Sequence, residues 1–464
     1  MSATHENRGK QGVSRRRFLQ STAAVGAGLA VAPTILGAEK AGPAEIRVAV
    51  IGAGTEGRVL IQQAIKIPGI KFTALCDIWQ YSQRYTGRRL HAYGHDVMEH
   101  IYADYQEMLE KEKDRFDAVI VATPDFCHAE QACACLEAGK QVYCEKEMSN
   151  DLAKAKQMVA TAKKTGNLLQ IGHQRRSNPR YIFAKEKLID EAKLPGRITH
   201  IYGQWNRSTA AASPRGFPKK YPIEDKMLQK YGYENMFQFR NWRFFWKYGG
   251  GAIEDLGSHQ IDIFPWFLGG KPTSVQASGG TDYWKDYETY DNILTIYTFD
   301  TPQGVVRAFY QTLTTTSARG YYESFMGDEG TLSISEAPSQ CRVYAEGHLP
   351  AVEGKHTWTK WVDKGYLIRT EEEEEAAEEP KSAADQIMAV YKSPPPTAFM
   401  FNVQVEGSYH QAHIQNFFDA MRDDKVKLNC PADVAYETCV MVLTANEAVK
   451  AGKTIPFTED DFKV

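Results

Sequence analysis

The sequence predicts an α/β protein whose first structured part is a doubly wound parallel sheet. Two observations carry this. A short β-branched run, "IRVAVI", leads into a glycine-spaced turn, "GAGTEG", and then into a helical run. Apolar strand-like runs then alternate with helical ones as far as residue 173, the pattern of parallel strands joined by crossover helices. From residue 174 onward strand-like runs dominate, so a second domain of different build is expected over 174–464.

Residues 1–40 read as a targeting segment rather than fold. In "SRRRFLQ", Arg15, Arg16 and Arg17 precede Phe18-Leu19 and a weakly apolar run, with small residues near Gly37 and Ala38 for cleavage. That order is a signal peptide's, and it resembles the twin-arginine type. It implies the twin-arginine export machinery as a partner and a periplasmic or otherwise exported destination. Gly26, Gly28 and Pro33 weaken the run as a spanning helix, and no later stretch is long and apolar enough to cross a bilayer.

Lys+Arg number 55 against Asp+Glu 58, so nothing in the charge balance points to a nucleic-acid partner. The eight cysteines show no C-x-x-C and no Cys/His metal spacing; they read as buried reduced thiols, and no metal is expected.

The elements of the first domain, 45–173, follow in order. Ile46 to Ile51 is the first strand. Gly52, Gly54 and Gly57 then form G-x-G-x-x-G: Gly52 for the tight turn, Gly54 for close approach of a pyrophosphate, Gly57 for close helix–strand packing. Thr55 and Glu56 open the helix whose N–H groups would point at the phosphates. The second strand, "KFTALCD", ends in Asp77, twenty residues after Gly57. A carboxylate there accepts from ribose hydroxyls and repels a 2′-phosphate, so NAD is favoured over NADP. "FDAVIVATPDFCHAEQACACLEAG" is a strand, a loop and a helix. Thr123, Pro124 and Asp125 lie at the strand's carboxyl end, where such sheets bind ligands. Asp125 is either a ligand-facing carboxylate or an N-cap, and His128 either a cofactor contact or a first-turn helix residue. "KQVYCEKE", "SNDLAKAKQMVATAKKTG" and "NLLQIGH" complete a Rossmann-type sheet.

Four stretches together resemble one family: the glycine fingerprint, "CEKEMS", "GHQRRSNPRY" and "GGGAIEDLGSHQIDIFPWFLG". The family is that of glucose–fructose oxidoreductase, inositol dehydrogenase and the rhizopine-catabolism proteins (Gfo/Idh/MocA). The resemblance implies a C-terminal α+β domain with a large open, mainly antiparallel sheet, and a homo-oligomer. "GRITHIYGQWN", "PTSVQASGG", "YDNILTIYTFD", "GVVRAFYQTLT" and "TLSISE" fit such strands. The acidic run beginning at Thr370 lies in an insertion expected over about 345–400 and reads as a solvated segment. "SYHQAHIQNFFDAMRDD" and "PADVAYETCVMVLTANEAVKAG" read as helices packed back on the sheet.

The resemblance also assigns chemistry. Glu145 and Lys146 end a strand on the cofactor side, and Lys146 can donate to a substrate oxygen. Asp255 and His259 are four apart, so an α-helix would put them on one face, the carboxylate orienting the imidazole as general base. Asp262 is a further orienter. Lys146, Asp255 and His259 are the implied catalytic residues. One departure stands out: where the family reads Glu-Lys-Pro, this chain has Glu147, which puts the placement of Lys146 in question. Substrate contacts are expected from Arg175, Trp205, Asn206, Trp242 and His259, with the aromatic stretch "FRNWRFFWKY" suited either to sugar C–H faces or to an ordinary core.

The expected activity is oxidation of a ring hydroxyl of a sugar or glycoside, C3 by resemblance, with a tightly bound NAD recycled on the enzyme. The alternatives are a redox-neutral NAD-dependent glycoside hydrolase and a non-catalytic sugar-binding protein.

Overall fold

The computed structural model describes residues 44–351, 356–370, 395–405 and 407–464. The leader read at 1–40, and all of the acidic run after Thr370, lie outside the described residues.

Six parallel strands form the first sheet: β1 (Ile46–Ile51), β2 (Ile70–Cys76), β3 (Ile101–Tyr102), β4 (Ala118–Val121), β5 (Gln141–Cys144) and β6 (Leu169–Ile171). Their order is β3-β2-β1-β4-β5-β6, so the direction of winding reverses beside β1. The reversal opens a crevice at the carboxyl ends of β1 and β4, the place where doubly wound sheets take ligands. The interior strands are apolar on both sides because helices cover both faces; every residue of β4 is buried.

The first turn depends on two glycines. Gly52 has φ +96°, and a methyl there would lie 2.5 Å from the Ala122 carbonyl oxygen. At position 57 a methyl would lie 2.0 Å from the Gly52 carbonyl oxygen, so the helix Thr55–Ala64 can start this close to β1 only with glycine there.

The second sheet is large and mainly antiparallel, as the resemblance implied, and has ten strands among the described residues: β7 (Ile198–Asn206), β8 (Pro272–Gly280), β9 (Asn292–Thr301), β10 (Gly304–Leu313), β11 (Tyr321–Gly327), β12 (Gly330–Ile334), β13 (Arg342–Ala345), β14 (Leu367–Arg369), β15 (Thr397–Phe401) and β16 (Ile455–Pro456). Its order is β14-β15-β13-β12-β11-β7-β10-β9-β8-β16. Only β7 and β10 run parallel; the other neighbours are antiparallel. One face packs on the helical run Ile253–Gly257, Ser258–Ile261 and Ile263–Leu268 and on the helix Ala432–Ala451. Contact is close: a methyl at Gly203 would sit 2.9 Å from the Phe264 ring.

The two late helices divide their work. Ala432–Ala451 packs on β8 and also on the helix Leu152–Thr165. Tyr409–Arg422 instead returns to the first sheet, where Ile414, Phe417 and Phe418 join the core of β1 and β2. His413 on this helix is buried, facing the Ile171 carbonyl and the Ser177 hydroxyl at 2.8 and 2.6 Å. Between β7 and the helical run, residues 207–250 make an excursion over the crevice, anchored by Trp79 Nε1 donating to the Tyr221 carbonyl (2.7 Å). Most of "FRNWRFFWKY" is spent here as core: Phe245 and Tyr248 bury with Trp79 and Tyr233, and Phe244 stacks on Tyr287. Among the described residues no helix is long and apolar enough to cross a membrane, no group of side chains could hold a metal, and all eight cysteines are free thiols, seven of them buried.

Candidate active site

A cleft of about 870 Å³ runs from the glycine turn to the second sheet. Its first end is the dinucleotide end. Gly52, Gly54, Thr55, Glu56 and Asp77 line it, with Thr123, Pro124 and Asp125 from the end of β4. No heavy atom lies within 4 Å of where a Cβ would sit on Gly54, and no side chain caps the helix behind it. The first-turn N–H groups are therefore open to an anion. Asp77 does more than face a ligand. Its Oδ2 accepts from Ala53 N–H (2.8 Å) and its Oδ1 from Trp79 N–H (2.7 Å), tying the glycine turn to the end of β2. Burial pushes its carboxyl up to about 6.

Two expected contacts are structural instead. Gly57 packs and does not line the cleft. His128 is fully buried, its ring nitrogens 2.7 and 2.8 Å from the carbonyl oxygens of Glu147 and Thr123; it braces the loop after β4 against the turn after β5.

The other end carries Glu145, Lys146, Trp205, Trp242, Asp255 and His259. Lys146 donates from Nζ to the Asp255 carbonyl oxygen at 2.6 Å, which fixes its ammonium at the cleft. His259 is 9% exposed, its ring 5.4 Å from that of Trp205, and its Nδ1 has no hydrogen-bond partner. Burial, then the charges of Lys146 and Arg175, hold it well below the usual histidine range, so it is neutral at neutral pH.

The expected Asp255–His259 pair is not formed. Asp255 gives Oδ1 to Arg243 Nε (2.7 Å) and Oδ2 to Arg207 Nη1 (3.2 Å). Two guanidinium groups outcompete the neutral imidazole for the carboxylate, on a stretch, Ile253–Gly257, that is wound as a π-helix. Asp255 is half-buried, and although desolvation acts to raise its carboxyl, Arg243, Lys146 and Arg207 hold it below the usual carboxylate range. Asp262 likewise serves elsewhere, bound by Arg176 and Thr438.

Arg175 and Asn206 are also corrected. Arg175 is 1% exposed and forms ion pairs with Glu323 and Glu336, beneath the cleft rather than in it. Asn206 donates to the Ala318 carbonyl (3.0 Å) and accepts from Gln311, and does not reach the cleft. Asn206 ends strand β7 and Arg175 lies in the 3-10 turn Gln174–Ser177, and the burial of each is set by partners distant in sequence.

Two family models match this chain: "Oxidoreductase family, NAD-binding Rossmann fold" over 46–173 and "GFO/IDH/MocA C-terminal domain" over 225–333, together just over half of it. The chain belongs to the GFO/IDH/MocA oxidoreductase family. A scyllo-inositol 2-dehydrogenase (NAD(+)) of Bacillus subtilis is 27% identical over 260 residues, 55% of this chain and 64% of that protein. A glycosyl hydrolase family 109 protein of Saccharopolyspora erythraea is 29% identical over 172 residues, 33% of this chain and 37% of that protein. The chain thus spans less than two thirds of these curated relatives. The crystal structure of aldose-aldose oxidoreductase from Caulobacter crescentus, complexed with glycerol, has the same fold at TM-score 0.63 and 18% identity, over 89% of this chain and 100% of that one.

Within this family frame the glutamate at 147 acquires a setting. The Lys146–Glu147 peptide is cis. Glu147 has no exposed surface; its Oε1 accepts from Met148 N–H (2.9 Å) and lies 3.6 Å from His173 Nε2. Glu254, also fully buried, stands near the Asp125 carboxyl. Neither of its carboxyl oxygens meets a donor, and burial and then the Asp125 charge push it well above its ordinary range. Gly250 leaves room for it: a methyl there would lie 1.7 Å from Oε2. Neither glutamate's burial carried a signal beyond the motif departure at 147. Arg207, Arg215, Arg240 and Arg243 line the cleft too, and Arg240 and Arg243 sit within the aromatic stretch that draws attention for its rings.

Glu145 gives a pH prediction. It accepts from Lys146 N–H (3.2 Å) and Tyr143 O–H (3.3 Å), and burial, followed by the Glu56 charge, raises it from 4.5 to about 8. Folded protein therefore holds a proton that the unfolded chain releases. The contribution is complete at low pH and is lost as pH rises toward 8. The loss is on the order of 5 kcal/mol. Denaturant unfolding should show stability falling between about pH 5 and about pH 8, and Glu145→Gln should flatten that descent. An unchanged descent in the variant would assign it to other groups.

Proposed function

We propose that this protein oxidises a ring hydroxyl of a sugar or glycoside with a tightly held, recycled NAD, C3 being the position favoured by resemblance. The observation that carries the reading is one cleft holding both an open, glycine-lined helix N-terminus and, at its far end, Lys146 and His259. The residues present fit the dinucleotide: the N-terminus of Thr55–Ala64 would hold its pyrophosphate, Asp77 its ribose, and Pro124 and Glu145 would border it. Bound NAD supplies the hydride acceptor.

The chain's own groups supply the rest. Neutral His259 can take the hydroxyl proton, and the Lys146 ammonium, positioned by the Asp255 carbonyl, can hold the oxygen as charge develops on it. Asp255 acts through its backbone carbonyl on Lys146 and through its carboxylate on Arg207 and Arg243. Trp205 and Trp242 offer flat faces to a sugar ring.

The resemblance of "SRRRFLQ" to a twin-arginine signal supports export, and export supports retention of the cofactor, since a free NAD pool is not assured outside the cytoplasm. The likeness to a glycosyl hydrolase family 109 protein favours a second reading, in which the same residues run a redox-neutral hydrolysis through transient oxidation. Denaturing purified, unsupplemented protein and quantifying released nicotinamide tests retention. A near-stoichiometric yield is expected. No dinucleotide, and none bound on adding NAD, overturns the proposal.

A further inference from the structure

We propose that the sugar taken by this cleft carries an anionic group, and that Arg207, Arg215 and Arg243 form the subsite for it. The inference rests on the reading of the cleft as a sugar site. All three arginines line the cleft beside Lys146, His259 and Trp242. The carboxylate they share is Asp255, already taken by Arg243 (2.7 Å) and Arg207 (3.2 Å). Among the described residues no carboxylate pairs with Arg215. Lys146 and the three arginines face Asp125, Glu145 and Asp255 across the cleft, Glu336 being paired with Arg175, so four cationic groups stand against three carboxylates at the sugar end.

Arg215 is placed, not adrift. The buried Asn241 side chain grips its backbone from both sides, Oδ1 accepting from Arg215 N–H (2.6 Å) and Nδ2 donating to its carbonyl (3.1 Å). Arg243 lies over one face of the Trp242 ring at 4.1 Å, and both side chains line the cleft. Crowded guanidinium groups repel one another, and partial burial with Arg243 and Arg207 nearby disfavours the charge on Arg215. An anion offsets this, and a guanidinium fork matches a carboxylate, sulfate or phosphate oxygen pair. Arg207 and Arg243 are drawn to Asp255 at the sugar end, and Arg215 stands between them and Arg240, whose charge acts on Asp77 at the dinucleotide end.

The test is calorimetric titration of the dinucleotide-loaded protein. Ligands are hexopyranosides of gluco, galacto and manno configuration, each as the neutral glycoside, the uronic acid, the sulfate ester and the phosphate ester. At least one acidic member should bind about tenfold or more tighter than its neutral counterpart, with an advantage that shrinks in salt. Which acidic arm wins identifies the anion. Arg215→Gln should erase the advantage while dinucleotide content and melting temperature stay unchanged, and Arg207→Gln should reduce it. If neutral glycosides bind as well as their acidic partners throughout, the inference falls and the sugar reading stands. If Arg215→Gln sheds dinucleotide and spares the acid preference, the arginines belong to the cofactor and the inference falls. If no sugar of any charge binds, the sugar reading falls and takes the inference with it.

Discussion

Arg175→Met should lower folding stability by about 3–5 kcal/mol, the usual cost of breaking one side of a buried ion pair. Arg175 is 1% exposed and Glu323, its partner, has no exposed surface. Methionine fills much of the volume but leaves Glu323 with the Tyr181 hydroxyl alone (2.8 Å). Glu336 loses its guanidinium contact at 3.4 Å as well. Adding Glu323→Gln should recover part of the loss, because the stranded charge is then gone. Urea unfolding of the two variants measures both effects. An unchanged midpoint with weakened sugar binding would return Arg175 to the substrate role expected from sequence.

Lys146→Met and His259→Asn should each reduce turnover by about 10²–10⁴-fold, the range for a positioned acid or base. Neither should empty the dinucleotide end, since the glycine turn and Asp77 lie at the other end of the cleft. Turnover and released nicotinamide are to be measured on the same preparations. Loss of activity together with loss of cofactor would mean a collapsed site rather than missing chemistry. Full activity in either variant would remove that residue from the mechanism.

The parallel sheet was legible because three signals agree around β1: a β-branched strand, glycines at fixed spacing, and a carboxylate at the end of the next strand. Each follows from backbone geometry that few residue types satisfy. The antiparallel sheet needed the family resemblance, because its strand-like runs do not state their order; β7 beside β10 joins segments about a hundred residues apart. The site was legible where a residue's place depends on a strand end, as with Lys146 and Asp77. It was misread where a carboxylate has competing partners. The Asp255–His259 pairing fails because Arg243 and Arg207, from outside that helix, take the Asp255 carboxylate. Arg175 and the Glu147–Glu254 surroundings were opaque for another reason: burial of a charge is decided by partners far away in sequence, here Glu323, 148 residues on. Tyr409–Arg422 shows the same limit, an amphipathic helix whose apolar face gives no hint of which sheet it covers.

The central claim is that this cleft oxidises a sugar with its own NAD. The most direct measurement is the absorbance of reduced nicotinamide on the protein after mixing with neutral and acidic sugars and removing free small molecules. The account predicts stoichiometric reduction by at least one sugar, reversed on adding a keto-sugar. Bound dinucleotide that no sugar reduces, in protein shown to be folded, would contradict it.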